Sequence, residues 1–450
     1  MIKKTFAVGF CLAMCLLFCG CSRFSLSISD MMAPPKMTGQ YYEIQTLLEE
    51  HTGAEVIPVY PGEGDYRSAY IIDDFDRDGS EEAVVFYGTP TDDNSLVMHV
   101  ALTCMKKGKW TVKGDVQVKA SEIERVLVEN VDDNKAQEVL IYWNTFNSSD
   151  KLLTVFGMKD GGLVQRMQET CTYFALCDLV GEGKNNIFTV CLNTVDKSST
   201  ASLFSLTNEK TEVIGTCMLD GNIQRYLEPK ISKLANGKPA VYLDAVKTAS
   251  SMITEIIYYD QNTLKAPSYD ILSGENNITL RQSLTEATDF NNDGIYEIPH
   301  LERIPVSKQY SNSQEFFVTE WRVFDTSGFK TAATAIMNYT DGYYLTVPSD
   351  WVGRFTIVKR SDSNQRIFYN WDQENEISTN EFMRIQVVSL EEYEKNRIQY
   401  TGFVEIARDS SQNIYIAKVG EGTTDARVLS VSVEQLRDMF SVISSSEKGE

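Results

Sequence analysis

Asp74-Phe75-Asp76-Arg77-Asp78-Gly79-Ser80-Glu81-Glu82, running directly into Ala83-Val84-Val85-Phe86-Tyr87, is the stretch on which the reading of this chain turns. Alternate acidic side chains, a glycine at the sixth place and a carboxylate at the ninth suit a hard cation that takes oxygen ligands. The apolar run behind them has the length and composition of a strand. The pattern returns as Asp289-Phe290-Asn291-Asn292-Asp293-Gly294-Ile295-Tyr296-Glu297. Expected ligands in the first loop are Asp74, Asp76, Asp78, the carbonyl of Ser80, and Glu82. Those in the second are Asp289, Asn291, Asp293, the carbonyl of Ile295, and Glu297. The ion that fits is calcium, bracing the loop rather than catalysing. An EF-hand is excluded, because it needs a carboxylate at the twelfth place, where Val85 and His300 stand, and helical flanks.

Worn copies lie between these two. Asn130 to Glu138, Asp178 to Asn186 and Ser232 to Ala240 each precede a hydrophobic run. First positions at 74, 130, 178, 232 and 289 are 56, 48, 54 and 57 residues apart. A polar turn follows each motif, at residues 106–108, 159–162, 207–209, 260–262 and 325–328. The middle copies have lost most carboxylates, so side-chain to backbone hydrogen bonds are expected to hold their turns without an ion. A period near fifty with several short strands per copy predicts a mainly β, propeller-like repeat domain of five recognisable blades, with a sixth as an option.

These motifs resemble the FG-GAP and VCBS class of calcium-loop β-propeller repeats over roughly residues 54–338. The end of the N-terminal apolar run, Leu17-Phe18-Cys19-Gly20-Cys21, resembles a bacterial lipobox. That resemblance implies cleavage after Gly20 and lipid on Cys21. The ensemble is similar to lipoproteins of Gram-positive anaerobes. The organisation expected is a signal peptide (1–20), a lipid-anchored tether (21–40), the repeat domain (41–338) and a small C-terminal α+β domain (339–446). In that last part, two capping-box patterns, at Ser389 and Ser432, predict helices over 391–395 and 433–443.

Composition narrows the function. Net charge is −21, with 63 acidic residues and no basic cluster beyond Lys3 and Lys4, so a phosphate backbone would be repelled and nucleic acid is excluded as a partner. Cys104, Cys171, Cys177, Cys191 and Cys217 follow the lipobox, an odd number without CxxC spacing, and mostly free thiols are expected. His51, His99 and His300 form no metal-ligand spacing, and no nucleophile or phosphate-loop motif occurs. Tyr343, Tyr344, Trp351, Phe355 and Trp371 are expected to pack as core. The expectation is therefore a non-catalytic binding or assembly protein. It would sit lipid-anchored on the extracytoplasmic face of the cell membrane, with an envelope protein or glycan as partner. The alternatives are a polysaccharide- or peptidoglycan-active enzyme, and a solute sensor using the C-terminal domain.

Overall fold

The computed structural model describes residues 39–443, except 93, 94, 133, 147–149, 208, 209, 307–314, 361, 362 and 424. The expected signal peptide and the expected lipid site at Cys21 lie outside the described residues. Among these residues no helix is long and apolar enough to cross a membrane.

The chain is mainly β: antiparallel sheets of four or five strands succeed one another in sequence order, the unit from which propeller-type arrays are built. It divides into two compact units. The first holds the helix Gln40–Thr52 and the first sheet, whose main strands are Tyr70–Asp73, Glu82–Pro90, Leu96–Lys106 and Lys109–Val118. The helix buries Ile44 and Leu48, one turn apart, against Tyr87 and Ala101 of that sheet. It stops at Gly53, which is left-handed at φ 67° and donates its N–H to Glu49 O at 2.9 Å.

The second unit holds the other sheets. The second sheet is built on Glu122–Glu129, Glu138–Asn144 and Lys151–Lys159, and the third on Tyr173–Cys177, Asn186–Asn193, Ser198–Leu206 and Thr211–Asp220. The fourth centres on Pro239–Thr248 and Ser251–Asp260. Its strand Pro239–Thr248 shows why these runs are hydrophobic throughout. Val241, Leu243 and Ala245 face one cluster while Ala240 and Tyr242 face another, so the sheet is covered on both sides. Each such large side chain, fully removed from water, contributes about 2–3 kcal/mol.

The fifth sheet runs Ile298–Arg303, Phe317–Asp325, Gly328–Asn338 and then Tyr343–Thr346 and Phe440–Val442, so it takes strands from beyond residue 338. The terminal helix is accordingly shorter than its periodicity predicts. It spans Val433–Met439 behind a complete Ser432–Gln435 capping box, and Phe440–Val442 then pairs with Tyr343–Leu345. Edge pairing outcompetes another helical turn there. Phe355–Arg360, Gln365–Asp372, Ile377–Ser389, Val404–Arg408 and Asn413–Val419 form the sixth sheet. Tyr343, Trp351 and Phe355 are core residues, while Tyr344 and Trp371 are half-buried. All five cysteines in the described residues are free thiols.

Residues 266–297 carry no long strand, and a buried polar network pins them to the fourth sheet. Glu255 accepts from Asp220 N at 2.9 Å, Ser268 Oγ at 2.8 Å and Asn276 Nδ2 at 3.1 Å. Asp244 accepts from Arg281 Nη2 at 3.0 Å and Ala287 N at 3.1 Å, and pairs with Lys230 Nζ at 3.0 Å. Burial, with the Asp220 charge adding to it, pushes the Glu255 carboxyl up to about 7. Between the ordinary carboxylate value and 7 the folded state keeps a proton that the unfolded chain has released, so stability falls as pH rises through that window. Glu255→Gln, which mimics the protonated acid, is expected to flatten the decline in urea midpoint between pH 5 and pH 7.5. An unchanged slope would assign the effect to other groups.

Candidate cation loops and a polar cleft

The first three acidic motifs each connect two paired strands, and the fifth is closed by a single bridge between Thr288 and Glu297. The residue before the motif opposes its ninth residue: Asp73 pairs with Glu82, Glu129 with Glu138, Cys177 with Asn186, and Thr288 with Glu297. The fourth copy departs, with Ser232 opposite Ala240 in a tighter turn. The same register thus closes loops of different composition.

In residues 74–82 the side chains of Asp74, Asp76 and Asp78 each offer an oxygen within 4.8 Å of the others. Asp74 accepts from the N–H of Asp78 at 3.0 Å and of Gly79 at 3.1 Å, and Asp76 from Asp78 N at 3.0 Å. Ser80 N donates to Asp78 at 2.8 Å, and Ser80 holds the Asp78 carboxyl below the usual range. Arg77 and Gly79 are both left-handed, at φ 58° and 90°. A Cβ on Gly79 would meet nothing within 4 Å, so glycine serves the backbone there and not the space. Glu82 is buried beneath the loop, where its Oε2 accepts from Phe75 N at 3.1 Å. Burial, then the charge of Asp76, raises Glu82 to about 7.

Residues 289–297 repeat this arrangement. Asp289 accepts from Asp293 N at 2.9 Å and Gly294 N at 2.8 Å, Asn291 Oδ1 from Asp293 N at 2.9 Å, and Asp293 from Ile295 N at 2.8 Å. Glu297 Oε2 accepts from Phe290 N at 2.8 Å, while its Oε1 is buried without a partner among the described residues. An orphaned carboxylate oxygen under a ring of oxygen donors fits a hard cation.

The second loop solves the same charge problem differently. Val131 N donates to Glu138 Oε2 at 2.9 Å, as Phe75 N does to Glu82 and Phe290 N to Glu297. Arg166, on the strand Gly162–Cys171, places Nη1 3.1 Å from Asp132 Oδ2 and 4.0 Å from Glu138 Oε1. A guanidinium thus supplies the positive charge. Arg166 lies far along the chain from Asp132 and is absent from the motif, so no local signal points to it. In the third loop Asp178 alone organises the turn, accepting from the N–H of Gly181, Glu182 and Gly183 at 2.8, 3.0 and 2.6 Å.

Asn130 and Asp132 of the second loop and Asp178, Gly183, Lys184 and Asn185 of the third line one cleft of about 440 Å³. Its walls are polar. A second cavity of about 260 Å³ is bordered by Thr285, Tyr339, Tyr343 and Arg366. His300, Glu302 and Glu320 also converge within 4.8 Å, but Arg322 already pairs with Glu320.

No protein-family model matches the chain, so the FG-GAP/VCBS resemblance finds no support there, and no curated protein matches it. Solved structures similar to it include rhamnogalacturonan lyase YesW, at 12% identity, over 72% of this chain and 83% of that one, with a TM-score of 0.29. The exotype rhamnogalacturonan lyase YesX is 10% identical over 81% of this chain and 90% of its own, with a TM-score of 0.29. The α-L-arabinanase of Penicillium chrysogenum is 10% identical over 70% and 92%, with a TM-score of 0.23. All three are named as enzymes acting on polysaccharide. The expectation of a non-catalytic binding or assembly protein is corrected on this finding: the structural likenesses lie among carbohydrate-active enzymes. Identities this low convey neither substrate nor residue roles.

Proposed function

We propose that this chain acts on cell-envelope polysaccharide, through the cleft between its second and third repeat loops. The observation that carries the reading is the cleft's lining. Sugar hydroxyls donate and accept at once, and here they meet Asp178, Asn130 and Asn185 at the cleft wall, while Asp132 is buried beneath it and held by Arg166 and Asn134. Behind Asp132, burial raises the Glu138 carboxyl, and its hydrogen bond with Asp132 favours the protonated form. Glu138 is then a proton store one carboxyl back from the cleft. The test is product release from arabinan, rhamnogalacturonan and peptidoglycan, read as new reducing ends and as unsaturated sugar. Asp132→Asn is expected to cut the rate by about 100-fold. Absence of product and of binding with all three polymers would overturn the proposal.

In this reading the sheets with acidic loops are blades of a propeller-type array, five in number, followed by a small α+β unit. Lipid on Cys21 holds the protein at the outer face of the cell membrane. Calcium, bound by Asp74, Asp76, Asp78, the Ser80 carbonyl and Glu82, and by Asp289, Asn291, Asp293, the Ile295 carbonyl and Glu297, would neutralise the crowded carboxylates and stiffen the turns. Asp76→Ala and Asp293→Ala are each expected to lower the thermal midpoint in calcium and to change it little in chelator. Equal losses in both conditions would mean that neither loop holds an ion.

A further inference from the structure

One cluster of polar side chains in the first unit forms a continuous hydrogen-bonded row. Asp115, His99 and Thr89 stand on the three neighbouring strands Lys109–Val118, Leu96–Lys106 and Glu82–Pro90. His99 Nδ1 lies 2.9 Å from Asp115 Oδ1, and His99 Nε2 lies 3.2 Å from Thr89 Oγ1. The second oxygen of Asp115 accepts from the Tyr87 hydroxyl at 2.6 Å, and His51 Nε2 approaches it to 3.8 Å. The imidazole stacks on the Tyr87 ring, with centroids 4.6 Å apart and planes at 15°.

Chemistry assigns a direction to this row. Asp115 can only accept as a carboxylate, so it selects the tautomer with hydrogen on Nδ1, which leaves the Nε2 lone pair facing the Thr89 hydroxyl. The carboxylate end is fixed by Tyr87, and His99 is 5% exposed. The hydroxyl end is half-buried, next to exposed Pro90 where its strand ends. Carboxylate, imidazole and hydroxyl in that order, with the hydroxyl at the open end, is the arrangement that activates an oxygen nucleophile.

We propose that Thr89 Oγ1, with His99 as its base and Asp115 as the positioning residue, is a nucleophile toward carboxylic esters. This esterase-type activity does not depend on the polysaccharide reading. In the first step Oγ1 bonds to the ester carbonyl carbon while its proton passes to His99 Nε2. The bond from that carbon to the alcohol oxygen breaks, and the alcohol leaves with the proton. Water then hydrolyses the acyl-threonine, releasing the acid and restoring the hydroxyl.

The test uses the full chain and a fluorophosphonate probe, which would bond through phosphorus to Thr89 Oγ1 and release fluoride. Peptide mass spectrometry should place the adduct on Thr89. Thr89→Ser should keep the adduct and Thr89→Val should abolish it, while His99→Gln and Asp115→Asn should slow labelling by at least about tenfold. Thermal midpoints of the variants are measured alongside, and if His99→Gln fails to fold, the nearly isosteric Thr89→Val decides. An unlabelled Thr89 under conditions that fully label a serine esterase overturns the proposal. So does labelling that survives His99→Gln at the wild-type rate.

Discussion

Replacing Arg281 with alanine is expected to lower the free energy of unfolding by about 3–5 kcal/mol in a urea titration. The Arg281 side chain is 1% exposed and that of Asp244 is fully buried. The guanidinium also donates to Thr285 O at 2.7 Å and to Thr254 Oγ1 at 3.0 Å. Its removal leaves a carboxylate inside the protein with part of its compensation gone, and frees the segment that leads into residues 289–297. A loss below about 1 kcal/mol would mean that Lys230, 3.0 Å from the other oxygen of Asp244, suffices as partner.

Replacing Arg166 with methionine is expected to make the second loop sensitive to calcium. The substitution keeps the apolar stem and deletes the charge, so the buried carboxyls of Asp132 and Glu138 lose their cation. In chelator the variant should lose about 2–4 kcal/mol of stability. Millimolar calcium should restore part of that loss, with Asn130, Asp132, Asn134 and Glu138 as oxygen donors. The wild-type protein should show no calcium response that Asp132→Asn removes. A loss of equal size in calcium and in chelator would show that the loop's shape admits only a guanidinium.

The repeat is legible from the chain because both of its landmarks are local. A motif residue and the glycine five places on belong to one loop, and the turns at residues 106–108 and 159–162 join consecutive strands. The carboxylate oxygens of Asp74, Asp76 and Asp78 converge for the same reason. What escapes is everything joined across strands. Arg166 reaches Asp132 from another strand, and Asp115 meets His99 only when Leu96–Lys106 pairs with Lys109–Val118. The network under residues 266–297 rests on Asp244 and the adjacent pair Thr254 and Glu255, short polar interruptions of hydrophobic strands. Such interruptions carry no periodicity, and their partners follow from tertiary register alone. The shortened terminal helix has the same origin, since Tyr343–Leu345 offers an open edge that the amphipathic pattern of residues 433–443 does not reveal.

The pairing of each loop's ninth residue with the residue before its first has a consequence for loop exchange. Asp73 with Glu82, Glu129 with Glu138 and Cys177 with Asn186 close three hairpins, and Thr288 with Glu297 a bridged loop, whose intervening residues differ in charge and donor set. The same register thus accommodates a loop with three clustered aspartates, one with an aspartate paired to an arginine, and one with a lone capping aspartate. Residues 74–81 transplanted into 130–137 are therefore expected to keep the pairing of Glu129 with Glu138.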